Sequence, residues 1–206
     1  METLRRNLFL IFCVFTLNSF AQAGDAAQQK AYAASYQSEY KQDYNAAILS
    51  IKSVYNESSY EDNLRLGWLY YLAGNFSGSQ SYYTKAINLR PASVEARLGL
   101  IKPLSSLESW DQVLKQYSEI LKLDPANYTA NYWAGVIQYN RKQYEVAVKY
   151  FEKIVNLYPF DYDAAHMLGW TYHFMKKPNE AKIMFNKALL IRPGDSSASQ
   201  GLGLQK

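Results

Sequence analysis

Apolar and small residues recur at steps of three and four in two runs between residues 128 and 161, with a polar stretch at residues 141–143 between them. The first run contains Tyr132, Gly135, Val136 and Tyr139, and the second contains Tyr144, Ala147, Val148, Phe151, Ile154 and Val155. Such steps are typical of amphipathic α-helices. Pro159 follows the second run and cannot continue a helix. The segment therefore predicts two antiparallel helices, A and B, joined by a short turn.

The same pattern repeats along the chain with a period of 34 residues. Prolines at this interval are Pro91, Pro125, Pro159 and Pro193; glycines in one phase are Gly67, Gly135, Gly169 and Gly203; aromatic residues in another are Tyr83, Tyr117, Phe151 and Phe185. A constant period of this length predicts an array of helical hairpins. We place the repeats at about 28–59, 60–93, 94–127, 128–161 and 162–195.

Counting each repeat from the equivalent of Tyr128, repeats two, four and five have small residues at positions 8 and 20, which are Gly67 and Ser79, Gly135 and Ala147, and Gly169 and Ala181. Because these residues lack bulk, we expect helices A and B to approach closely there. The aromatic residue at position 24 is expected to fill the space against the next helix A.

The motif is a small residue at position 8, aromatic residues at 11 and 17, Ala at 20, an aromatic residue at 24, Ala at 27 and Pro at 32. Residues 60–93 supply it as Gly67, Tyr70, Phe76, Ser79, Tyr83, Ala86 and Pro91. This pattern resembles the tetratricopeptide repeat (TPR) family. The resemblance implies an all-α fold, a right-handed α-solenoid of antiparallel helix pairs, with about five repeats and a C-terminal capping helix over residues 196–206.

Repeat three departs from the motif in its first helix, where Ile101 replaces the small residue and Pro103 follows. A proline inside a helix removes a backbone donor, so we expect helix A of this repeat to bend or shorten. A functional kink and an accident of sequence both remain open.

The N-terminus does not follow the repeat. Arg5 and Arg6 precede an apolar run over residues 8–20. Ala21 and Ala23 then place small residues at positions −3 and −1 of a cleavage site after Ala23. This order is typical of a secretory signal peptide. We predict a signal peptide over 1–23 and a TPR domain over 24–206, exported and periplasmic or envelope-associated. An uncleaved N-terminal anchor is the alternative.

Cleavage after Ala23 would remove Cys13, which is the only cysteine of the chain. The mature protein would then have neither disulfides nor thiol chemistry. The net charge of the whole chain is +4, which is too small to indicate nucleic-acid binding. Lysines scattered over the B helices indicate a solvated face.

By resemblance, the A helices line the concave face of a TPR array, and this chain places many rings at the corresponding positions. The candidate groove residues are Tyr36, Arg65, Trp68, Tyr71, Tyr132, Trp133, Tyr139, His166, Trp170 and His173. Large, stiff rings supply binding energy at low entropic cost. The alternative is that several of them pack between neighbouring A helices.

No sequence motif indicates catalysis. His166 and His173 share a helix face with Asp163, but two histidines and one carboxylate are a weak metal site. We therefore expect no enzymatic activity, no cofactor and no metal. Some TPR proteins bind a terminal carboxylate through Lys, Arg and Asn side chains. Here Arg65 and Lys102 have no Asn beside them, so this clamp is not supported.

These observations lead to two functional hypotheses. The first is an exported scaffold that binds a protein or peptide partner and acts in the assembly or function of a cell-envelope complex; membrane association through that partner is left open. The second is a carbohydrate-binding or polysaccharide-export accessory solenoid. Sugar hydroxyls need polar side chains between the rings, and Asn140 and Glu39 are few, which favours a protein partner.

Overall fold

Residues 26–205 are described by a computed structural model of the protein, and all regular secondary structure in that range is helical. The predicted signal peptide lies outside the described residues. The helices are α1 (26–40), α2 (Tyr44–Lys52), α3 (Tyr60–Leu72), α4 (Phe76–Leu89), α5 (Val94–Ser106), α6 (Trp110–Leu123), α7 (Tyr128–Asn140), α8 (Tyr144–Leu157), α9 (Tyr162–Phe174), α10 (Pro178–Ile191) and α11 (Ser196–Gly203). Helices pack as consecutive pairs, α3 with α4, α7 with α8 and α9 with α10, which confirms the predicted all-α fold of helix pairs.

The chain forms two compact units that meet in sequence between Leu107 and Glu108. The first unit contains α1–α5 and the second contains α6–α11. This division falls inside the predicted repeat three, so that its helices A and B belong to different units.

Helix lengths are uniform in repeats two to five. The A helices α3, α5, α7 and α9 each have 13 residues, and the B helices α4, α6, α8 and α10 each have 14. Helix α2, the B helix of the first repeat, has only 9 residues.

A capping residue precedes each of the A helices α3, α5, α7 and α9, and also α11. These residues follow the 34-residue period and are Ser59, Ser93, Asn127, Asp161 and Asp195. Each side chain accepts a hydrogen bond from the backbone N–H three residues later, at 2.7–3.1 Å. Such a bond satisfies a helix N–H group that has no partner within the helix. The start of these helices is thus encoded locally in every repeat.

The aromatic ring at position 24 lies directly on glycine backbone. A methyl group added at Gly135 would come within 2.8 Å of the Phe151 ring, and one added at Gly67 within 2.9 Å of Tyr83. Phe151 is fully buried. The missing side chain at position 8 therefore makes room for this ring, and the ring joins helix B to helix A of its own repeat.

The same rings also contact the following A helix. Tyr83 lies on Gly99 of α5, and Phe185 lies on Gly201 of α11. In α11 the Phe185 ring thus contacts Gly201. Gly203 is the residue of α11 that corresponds to position 8 of the repeat, and it has open space around it. Because no helix B follows α11 within the described residues, no ring is available to cover Gly203.

Pro103 does not shorten its helix, so that part of the expectation is wrong. Helix α5 has the same 13 residues as its counterparts, and the Pro103 carbonyl still accepts a bond from Leu107 N–H at 3.1 Å. The proline ring is buried beside Leu100 and Leu104, which are buried as well. Apolar burial at this position offsets the hydrogen bond that proline cannot donate.

The turn from helix A to helix B contains one residue in the left-handed conformation in every repeat. These residues are Gln42, Gly74, Glu108, Lys142 and Lys176, with φ between 53° and 74°. Only Gly74 is a glycine, and a residue with a Cβ is strained in this conformation by about 1–2 kcal/mol. Four of the five turns therefore carry strain that a glycine would relieve.

We predict that Lys142→Gly stabilises the second unit by up to about 1 kcal/mol, because relief of strain exceeds the entropic cost of glycine. Thermal unfolding followed by circular dichroism measures the effect. Lys149→Gly is the control, since Lys149 is an exposed residue within α8 and glycine there costs about 1 kcal/mol. A lower Tm for Lys142→Gly would contradict the prediction.

Candidate functional site

Three A helices of the first unit, α1, α3 and α5, surround a groove of about 720 Å³. We call it the α1–α3–α5 groove. Its aromatic lining is Tyr32, Tyr36, Trp68 and Tyr83; its aliphatic lining is Leu64, Val94 and Leu98. The charged residues that line it are Glu61, Arg65, Glu95 and Lys102. A concave apolar surface of this size with a few polar groups is typical of a ligand site.

Arg65 organises one wall of the groove instead of offering a free cation. Its side chain is only 7% exposed and forms an ion pair with Glu39. It donates to Ser35 Oγ at 3.0 Å, and its guanidinium lies 3.9 Å from the centre of the Tyr36 ring. The Arg65 charge is thus balanced within the protein, and the residue holds Tyr36 in place.

Trp68 belongs to the same network. Its indole N–H donates to Glu39 at 2.7 Å, and its ring stacks on Tyr71 at 5.7 Å between ring centres. The ammonium group of Lys102 lies 5.5 Å from the Trp68 ring. Trp68 therefore lines the groove with a fixed orientation. Tyr71 stacks on Trp68 but does not belong to the lining.

Two carboxylates that sequence reasoning missed lie at the other end of the groove. Glu61 and Glu95 occupy position 2 of consecutive repeats, in the first turns of α3 and α5, and both are exposed. Glu61 accepts a hydrogen bond from Arg90 at 2.7 Å, and Glu95 accepts one from the Tyr60 hydroxyl at 3.1 Å. Their recurrence at one repeat position was the signal in the sequence.

In the second unit, two of the predicted groove rings serve mainly in packing. Tyr132 stacks on Tyr128 at 5.9 Å, and Tyr139 contacts Phe174 edge to face at 5.9 Å. Both tyrosines pack against the core cluster of α8 and α9. Trp133, at 49% exposed, remains largely open to solvent. The packing alternative thus applies to Tyr132 and Tyr139.

The predicted groove residues of repeat five are covered by α11. His166 Nε2 lies 2.8 Å from Ser197 Oγ, and the Trp170 indole N–H lies 3.1 Å from both of these atoms. The Trp170 ring also meets Phe185 edge to face at 5.2 Å and packs against a core cluster. His166 and Trp170 therefore hold the C-terminal helix.

His173 contributes to the same contact. Its Nδ1 lies 2.9 Å from the Gln205 side-chain nitrogen, beyond the end of α11. Sequence reasoning missed both Ser197 and Gln205, because their role depends on where the last helix folds back onto α9. The residues of repeat five thus form an intramolecular contact in this structure.

Within residues 26–205, no group of three His, Cys, Asp or Glu side chains is placed to hold a metal ion. None of the helices in that range is long and apolar enough to cross a membrane.

Comparisons with known proteins agree with the geometry. Models of the tetratricopeptide repeat family match residues 63–93, 104–162 and 162–195. Repeated helix pairs of constant length define a helical-repeat protein. The chain belongs to the tetratricopeptide repeat family, as the sequence resemblance indicated. No curated protein matches the chain at a significant level.

Several solved structures share the fold. A TPR protein from Parabacteroides merdae ATCC 43184 has 19% identity and a TM-score of 0.73, over 87% of this chain and 72% of that chain. MamA has 21% identity and a TM-score of 0.70, over 80% of this chain and 91% of that chain. YrrB, a TPR protein with an unusual peptide-binding site, has 18% identity and a TM-score of 0.66, over 81% and 87%. The TPR fold supports a protein-binding role.

The contact between His166 and α11 predicts that the stability of the folded protein depends on pH. Burial lowers the pKa of the His166 imidazole below its usual value; Asp195 and Asp163 oppose this shift and Arg192 adds to it. A lowered pKa means that the folded state binds fewer protons than the unfolded state below about pH 6.5. The contribution of neutral His166 to the stability of the folded state is therefore complete above that pH and is lost as pH falls.

We predict that the Tm of the protein falls between pH 7.5 and pH 5, and that His166→Gln reduces this fall relative to the unsubstituted protein. A protonated Nε2 would also place a second donor against the Trp170 N–H. Thermal melts of the two proteins at both pH values measure the difference. Equal pH dependence in both would show that His166 does not contribute.

Proposed function

We propose that the protein is an exported TPR scaffold that binds a protein or peptide partner in the α1–α3–α5 groove and acts in the assembly or function of a cell-envelope complex. The observation that carries the proposal is the groove itself. Its rings are held in place by Arg65 and Glu39, yet Tyr36 remains 56% exposed.

Binding, not catalysis, is the activity that this site supports. The groove offers rings, an apolar floor and charged side chains at its ends, and TPR proteins are generally non-enzymatic scaffolds. Preorganised rings bind with little loss of side-chain entropy, which favours recognition of an extended segment. The peptide-binding site of YrrB, which shares this fold, supports the same class of ligand.

Export is part of the proposal and rests on the N-terminal sequence. We predict that protein isolated from cells begins at Gly24, because the Ala21 to Ala23 segment has the small residues that signal cleavage requires. Mass spectrometry of the mature N-terminus measures this. Ala23→Tyr is expected to leave the precursor uncleaved. A mature chain that starts at Met1 would remove the export claim.

Tyr36→Ala is predicted to weaken partner binding by about 30-fold, the equivalent of about 2 kcal/mol for a central ring. Tyr40→Ala is the matched control: Tyr40 lies one turn further along α1, is 92% exposed and does not line the groove. The partner is first captured from an envelope extract with the mature chain, and its affinity for each variant is then measured by titration.

Circular dichroism is the folding control for both variants. If Tyr36→Ala keeps its helical content and binds as tightly as Tyr40→Ala, the partner uses another surface and the groove is not the binding site.

A further inference from the structure

We infer that the α1–α3–α5 groove selects a peptide in which a Lys or Arg side chain stands beside an apolar one, with the basic group between Glu61 and Glu95. This inference rests on the proposed function and adds the chemistry of the ligand. Some charged groups of the groove are engaged within the protein, and others remain available to a ligand.

Several charged groups near the groove are engaged by other groups of the protein. Arg65 is paired with Glu39. Asp62 is fully buried and accepts hydrogen bonds from the Tyr32 hydroxyl at 2.7 Å and from the Asn56 backbone N–H at 2.9 Å. These groups are therefore not available to bind a charged side chain of a ligand.

The carboxylates of Glu61 and Glu95 remain accessible to a ligand. The ion pair of Glu61 with Arg90 has both side chains more than half exposed, and such a pair contributes little. Glu95 accepts from the neutral Tyr60 hydroxyl. A carboxylate offers about four acceptor positions, so each side chain can accept further bonds from an ammonium or guanidinium group.

The opposite end of the groove has the opposite charge. Lys102 lies beside Trp68 and is exposed. Positions 2 and 9 of a repeat are seven residues apart, which is about 10 Å along a helix. The ammonium group of Lys102 repels a basic side chain from that end and directs it towards Glu61 and Glu95.

The surface between the two ends is apolar. Leu64, Leu98 and the Tyr83 ring form it, and Gly99 brings the α5 backbone against that ring. An extended peptide covers about 10 Å in three residues. An apolar side chain on this floor and a basic side chain at the carboxylates thus fit within a short segment.

The experiment is a selection from a random heptapeptide library displayed on phage, with the mature chain as the target. We expect the selected peptides to be enriched in Lys or Arg next to an apolar residue. The same selection on the Glu61→Gln/Glu95→Gln variant is expected to lose that enrichment. Fluorescence anisotropy with one selected peptide should show at least a tenfold weaker Kd for the variant.

Two further variants keep the test specific. Glu145→Gln changes an exposed first-turn glutamate of α8 in the second unit and should leave the Kd unchanged. Glu95→Lys should prefer the selected peptide after its basic residue is replaced by Glu. Circular dichroism and melting temperature verify that each variant is folded.

The outcomes separate the two proposals. Selected peptides that lose affinity for Tyr36→Ala but show no basic preference would overturn the inference and leave the proposed function standing. Peptides that bind Tyr36→Ala normally, or the absence of any enriched sequence, would overturn both. Equal Kd values for the unsubstituted chain and the double glutamine variant would also overturn the inference.

Discussion

Contact of an aromatic ring with glycine backbone is the interaction on which repeats two, four and five depend. Phe151 on Gly135 and Phe185 on Gly169 leave no space for a Cβ, at 2.8 Å in both cases. The same ring surface meets the next A helix, as Phe185 does at Gly201. One side chain therefore holds three helices together, and a larger residue at these glycines would displace the ring at a cost of about 1–3 kcal/mol.

The sequence predicted the fold well because its signals are local and periodic. Helical steps, the proline at position 32 and the small residue at position 8 all act within one hairpin, and the structure contains the corresponding helix pairs. The expectation that Pro103 shortens its helix was wrong because it weighed the lost hydrogen bond without the burial of the ring.

The candidate site was less predictable, because its residues depend on contacts between repeats. Arg65 was assigned to the groove from its position, but the sequence did not show that Glu39 neutralises it. In the sequence, His166, Trp170 and His173 have the same helical spacing as residues that line the α1–α3–α5 groove. Their contacts come from Ser197 and Gln205, about thirty residues later, after α11 folds back onto α9. Amphipathic periodicity does not distinguish a ring that a ligand covers from one that another helix covers.

The rings at the predicted groove positions thus have two different environments in this protein. In the second unit, Tyr132, Tyr139 and Trp170 are engaged by neighbouring helices. In the first unit, Tyr36 and Trp68 are held by an internal ion-pair network and still line an open groove. Because preorganised and exposed rings bind ligands at low entropic cost, the α1–α3–α5 groove is the surface that we assign to the partner.

Site-specific photo-crosslinking in cells tests this assignment most directly. Benzoylphenylalanine is introduced in place of Tyr36 in one protein and in place of Trp133, an exposed ring of the second unit, in another. The account predicts a crosslinked partner from position 36 and none from position 133. A partner crosslinked only from position 133 would contradict it.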